Sequence, residues 1–195
     1  MITEQRFKDS ATRIGCSLSA IKAVAEVESG GNGFLSTGEP VILFEPHIFW
    51  KRLKSRGIDP AKLLANHPEY SDILYPTWKP GKYGPSSKQH SRLQRAQVIN
   101  RDAALESASW GKFQILGMNW KLCGVQGLQE FINAMYSSED EHLTLFVDYV
   151  RGGGVSFYNA ANIYRAKDGQ LIIASSPWKG FNHILGKPEF RKFAK

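Results

Sequence analysis

Ile21-Lys22-Ala23-Val24-Ala25-Glu26-Val27-Glu28-Ser29-Gly30-Gly31 is the stretch on which the reading of this chain turns. At about 100° per residue, with Ile21 as zero, Val24 falls near 300°, Ala25 near 40° and Glu28 near 340°. Glu28 therefore stands in the middle of an apolar stripe. Glu26, near 140°, shares the polar face with Lys22, near 100°. Burial disfavours the charged form of a carboxyl and raises its pKa, which suits a general acid working near neutral pH. The Gly-rich segment that follows ends the helix and leaves room for a ligand. The alternative is a carboxylate reaching into solvent from the last turn.

Working outward, Thr3 predicts the N-cap of a first helix with Phe7, Ala11 and Ile14 on one face, ended by Gly15. Ser17 or Ser19 caps the second, which runs to Ser29. Gly38-Glu39-Pro40 reads as a turn and Val41 to Glu45 as β. Helices are expected over Ile48–Arg56 and Arg92–Ala108, with an added turn over Pro60–Ala65. Between them, residues 66–90 carry Pro68, Pro76, Pro80 and Pro85 and read as a long, functional type of loop. Leu128, Phe131, Ile132 and Met135 mark another helix. Ser138 with Glu141 caps the next, which carries Leu143, Leu145, Phe146, Tyr149 and Val150 and ends at Gly152-Gly153-Gly154. Asp168-Gly169 predicts a hairpin between Tyr164 and Leu171-Ile172-Ile173. Met118, Trp120 and Leu122 read as core.

With 195 residues and 42% apolar composition, the chain is expected to form a single domain over residues 1–195. Its longest apolar runs are about four residues against the roughly 20 of a membrane span, so no stable membrane insertion is expected. No signal peptide is read at the N-terminus. The net charge of +7 and pI of about 9.4 favour polyanions such as nucleic acid, anionic membranes or cell wall, or serve solubility alone. Cys16 and Cys123 show no CxxC pattern and read as small apolar residues. The five histidines lack metal-ligand spacing, and no P-loop, dinucleotide fingerprint or GxSxG elbow is present. No metal or cofactor is expected.

Several ordered blocks resemble the N-acetylmuramidase family of phage endolysins. They are Ala23–Gly31 through Gly33-Phe34-Leu35, Val41 to Phe49, Asp102 to Gly117, and Phe131 to Val150 with Ser138-Glu139. The resemblance covers roughly residues 1–150. Its Glu-Ser pair and later Gly-x-x-Gln-Ile block are also similar to goose-type lysozymes and lytic transglycosylases. It implies a mainly α (α+β, lysozyme-like) fold, a helical domain with a small β-hairpin after the helix that bears Glu28. It implies cleavage of the glycan strands of peptidoglycan, with Glu28 as the catalytic acid protonating the glycosidic oxygen.

Glu45, at the end of the β segment, is the candidate second carboxylate; an ion pair is its alternative. Glu106 is a weaker rival for which a structural hydrogen bond is expected. Gln114 is assigned to the acetamido groups of the sugar, and Trp110 and Tyr83 to stacking on sugar faces; core packing is the alternative for Trp110.

The C-terminal stretch departs from the pattern. Tyr158-Asn159 comes early and lacks Gly-Pro, and Trp178 with Phe181-Asn182 lacks the rest. One wall of the cleft is therefore expected to differ. Four readings stand: a hydrolytic muramidase, a lytic transglycosylase giving 1,6-anhydro sugars, a non-catalytic glycan-binding module, and a nucleic-acid binder, which no motif supports. The first implies a monomer with no separate wall-binding module that binds no nucleic acid, accumulates in the host bacterial cytoplasm, and reaches the periplasm with a holin's help.

Overall fold

The computed structural model describes residues 1–29, 32–78 and 83–153 and the backbone of 163–165 and 171–173; the side chains of residues 20, 23 and 26–29 are not described. Helix α1 (Glu4–Ile14) starts where the Thr3 hydroxyl accepts the Arg6 N–H and ends at Gly15, left-handed at φ 71°. Helix α2 (Leu18–Ser29) follows. Ile21 and Ala25 on its predicted stripe are buried, so Glu28 lies in register with two core positions, one and two turns ahead.

A tight turn closes after α2. Phe34 bridges Pro40, and the Leu35 N–H donates to the Glu39 carbonyl at 2.8 Å. Strand β1 (Ile42–Phe44) then leads into α3 (Pro46–Lys54), and α4 (Pro60–Asn66) follows. The expected β-hairpin is a three-stranded antiparallel sheet whose other members come from far along the chain. β1 pairs with β2 (Ala108–Trp110), which pairs with β3 (Ile115–Leu116).

The single helix expected over Arg92–Ala108 is two: α5 (Gln89–Ile99) and α6 (Arg101–Glu106). Asn100 breaks the run. It is extended (φ −159°, ψ 110°), and its side chain caps α6 by accepting the Ala103 N–H at 2.9 Å. The loop between α4 and α5 has short 3₁₀ turns at Pro68–Tyr70 and Ser86–Lys88, and Ile73 and Leu74 pin it into the core. After a 3₁₀ segment at Gly117–Leu122, α7 (Leu128–Ser137) and α8 (Glu139–Arg151) close the bundle. The Ser138 hydroxyl caps α8 from the Glu141 N–H.

One core runs through these elements, with Phe44, Phe49, Leu53, Phe131, Met135 and Leu143 fully buried. Met118, expected there, is instead exposed. Both cysteines are free, and burial pushes their thiols up to about 11 (Cys16) and about 12 (Cys123), so neither is a ready nucleophile.

β4 (Ile163–Arg165) and β5 (Leu171–Ile173) pair antiparallel as the hairpin expectation required. The Asp168-Gly169 turn, Tyr158-Asn159, Trp178 and Phe181-Asn182 lie outside the described residues. Among the described residues no helix is long and apolar enough to cross a membrane.

Candidate active site

The sheet builds one wall of an open cleft. Strand side chains alternate between faces. Ile42, Phe44, Ala108 and Trp110 therefore turn into the core, while the cross-strand row Leu43, Ser109 and Leu116 lines the cleft. Glu45, two residues past Leu43, continues that row. The cleft is about 490 Å³, and Gln114, Asn119, Phe113, Phe146 and Tyr149 are also among its lining.

Glu45 sits at the strand-to-helix junction, and both of its backbone groups are committed. Its N–H donates to the Ser107 carbonyl at 2.9 Å, and its carbonyl accepts from Ile48 and Phe49 at the start of α3. Pro46 at the first helical position fixes the turn without needing a donor. The side chain is mostly covered but not closed off. Its Oε2 accepts the Tyr83 hydroxyl at 2.9 Å and lies 3.5 Å from His47 Nδ1.

Burial first, then the Glu45 charge, pushes the Tyr83 phenol above its usual range, so it stays protonated and donates. Burial pulls His47 below the ordinary imidazole value, and the attraction of Glu45 does not overcome it. His47 is therefore neutral at neutral pH, and its Nδ1 makes no hydrogen bond among the described residues.

Gln114 closes the β2–β3 turn. Its backbone is left-handed at φ 47°, an unusual state for a residue with a Cβ. Its Nε2 donates to the Gly111 carbonyl at 2.8 Å. The same Nε2 also reaches the Val41 carbonyl at 3.4 Å, so the amide nitrogen is used within the turn. The turn also needs Gly111. It has φ +66°, and a Cβ there would stand 2.8 Å from the His142 ring.

One sequence assignment is corrected. Trp110 is no stacking platform: it is 1% exposed, and its indole N–H donates to the Leu105 carbonyl at 3.0 Å. Strand alternation turns it inward, opposite Ile42 and Ile115. Tyr83 is half-buried and donates its hydroxyl to Glu45 Oε2 at 2.9 Å. Glu106, as expected, is structural. Its Oε2 receives Arg52 Nε at 2.7 Å and Arg56 Nη2 at 2.6 Å, tying α3 to α6. Glu28 belongs to α2 by its backbone, but its side chain lies outside the described residues.

Sequence reading missed His47, Asn119 and Tyr149, and a buried cluster behind the turn. There Glu139 Oε1 accepts the Gly33 N–H at 2.8 Å and Lys112 Nζ at 3.2 Å. His142 Nδ1 accepts the Lys112 N–H at 3.1 Å, and its Nε2 donates to the Met135 carbonyl at 2.7 Å. This cluster fastens the segment that follows α2 to α8. Its signal was visible: His142 stands between Leu143 and Glu139 on the buried side of a capped helix. Among the described residues no three His, Cys, Asp or Glu side chains are grouped as metal ligands.

A family model for N-acetylmuramidase matches residues 17–191. The chain belongs to the N-acetylmuramidase family. The match runs well past residue 150, where the resemblance read from the sequence blocks stops, so the C-terminal departure lies within family territory. Among solved structures, the crystal structure of the Burkholderia AP3 phage endolysin is similar at 32% identity with a TM-score of 0.71. The likeness covers 98% of this chain and 66% of the endolysin, so the chain spans just under two thirds of that protein's length. The mainly α, lysozyme-like fold expected from the sequence is the one found. No curated protein matches the sequence.

Proposed function

We propose that this protein degrades peptidoglycan as an endolysin, hydrolysing the β-1,4 bond between N-acetylmuramic acid and N-acetylglucosamine. Family membership supports the substrate class. The observation that carries the reading is a carboxylate, Glu45, held at the edge of an open cleft with one oxygen engaged by Tyr83 and the other unbonded among the described residues. Asn119, Gln114, Ser109 and Tyr149 offer polar groups among the apolar surfaces of Leu43, Leu116 and Phe113, a mixture suited to acetamido sugars.

In this mechanism Glu28 protonates the glycosidic oxygen as the bond breaks through an oxocarbenium-like state. Glu45 activates water or stabilises the positive charge. Helical register supports Glu28, because an acid on a core stripe is held uncharged more readily than one in water. The basic chain is drawn to the anionic wall. A lytic transglycosylase needs no second carboxylate, since the sugar's own C6 hydroxyl closes onto C1. The built environment of Glu45 favours hydrolysis.

The test is digestion of purified peptidoglycan, with mass spectrometry of the released fragments. Reducing N-acetylmuramic acid ends are expected. Anhydro ends would move the enzyme to the transglycosylase class, and wall binding without fragment release would make it a binding module.

A further inference from the structure

The Tyr83 hydroxyl reaches Glu45 because the segment carrying Tyr83 is tied down by two buried side chains of α5. Gln89, 1% exposed, donates from Nε2 to the Tyr83 carbonyl at 2.6 Å and to the Pro85 carbonyl at 3.3 Å. Arg92, also buried, donates from Nη1 to the same Tyr83 carbonyl at 2.9 Å and reaches the Asp72 carbonyl. The other end of Gln89 accepts the N–H of Phe44, the residue before Glu45, at 3.2 Å. One amide therefore spans the gap between the tyrosine's backbone and the glutamate's strand and sets their separation. Burying a glutamine and an arginine is costly unless their polar atoms are satisfied. Here most of that bonding is directed at a surface segment whose side chain ends on the candidate carboxylate.

We propose that Tyr83 is a positioning residue: its hydroxyl fixes Oε2 of Glu45 so that Oε1 faces the substrate or its water, and Gln89 and Arg92 hold Tyr83 there. The inference rests on the reading of Glu45 as the second carboxylate. It replaces the stacking role that the sequence suggested for Tyr83, and the two make opposite demands. Stacking needs the ring and not the hydroxyl, whereas positioning needs the hydroxyl.

The experiment measures kcat and KM on soluble glycan strands for wild type, Tyr83→Phe, Tyr83→Ala, Glu45→Gln and the double variant Glu45→Gln/Tyr83→Phe, with melting curves for each. Tyr83→Phe is expected to lose about tenfold to a hundredfold in kcat, the scale of a misplaced reacting group, with KM and melting temperature close to wild type. In the Glu45→Gln background the same change is expected to cost nothing more, because Tyr83 acts through Glu45.

Wild-type kcat in Tyr83→Phe, with KM raised only in Tyr83→Ala, overturns the inference in favour of stacking. Multiplied losses in the double variant also overturn it. Wild-type kcat in Glu45→Gln defeats the second-carboxylate reading, and the inference falls with it.

Discussion

Replacing Glu106 by glutamine separates an architectural carboxylate from a chemical one. Glu106 lies a few residues before the sheet that carries the cleft, and its Oε2 draws in Arg52 through Nε (2.7 Å) and Nη2 (2.5 Å) and Arg56 through Nη2 (2.6 Å). Its side chain is 9% exposed, against 28% and 25% for the arginines, so water screens the set only partly. A hydrogen bond to a charged group contributes about 1.5–3 kcal/mol and a neutral one about 0.5–1.5, so neutralising the acceptor loses about 1 kcal/mol per donor. The three contacts share one oxygen and do not add, which puts the cost near 2 kcal/mol. For a chain of this size that lowers the melting temperature by roughly 4–8 °C. Differential scanning calorimetry checks the shift, and a glycan-cleavage assay on folded protein checks that kcat is kept. A melting temperature within a degree of wild type would refute the buried ion pair. Lost kcat at full stability would refute the assignment of Glu106 to architecture.

The buried cluster behind the β2–β3 turn predicts lability to acid. His142 is held below the ordinary imidazole value, 6.5, by burial, so the unfolded chain binds its proton first and stability falls as pH drops below about 6.5. Burial raises Glu139, but the Gly33 and Lys112 bonds outweigh it and hold the carboxyl below 4.5, which adds a second loss below that pH. Urea midpoints across this range should fall in both windows, and His142→Gln should flatten the upper one. Gly111→Ala should cost more than about 1 kcal/mol in urea unfolding, because it sets a Cβ both at positive φ and against a fixed His142 ring. Trp110→Phe should destabilise by about 1–3 kcal/mol, through the buried Leu105 carbonyl it leaves unpaired, and keep KM unchanged. A raised KM would return Trp110 to the sugar.

Long amphipathic helices and their caps were legible in the sequence because each depends on neighbours a few residues apart. Thr3, Gly15, Ser138 and the stripe through Ile21 and Ala25 all read correctly. The sheet was not legible in full. Its second and third strands have three and two residues, too short for a period to register, and the second pairs with a segment more than sixty residues earlier. Asn100 was a readable N-cap inside the supposed long helix, but the apolar stripe across it masked the break. At the site, Glu45 and Gln114 were named and do share the cleft. Trp110 failed because aromatic character alone does not say which face of a strand it takes. Gln89 and Arg92 stand four residues before Leu93 and Ala96, polar groups on an apolar stripe, which is the same signature that singled out Glu28.

The measurement that bears most directly on the account compares wild type with Glu28→Gln for clearing of outer-membrane-permeabilised Gram-negative cells. Circular dichroism and melting curves establish that both proteins are folded. The account predicts that wild type clears the suspension and that Glu28→Gln, equally folded, does not. Clearing by folded Glu28→Gln at the wild-type rate would contradict the assignment of the catalytic acid and with it the mechanism proposed for this cleft.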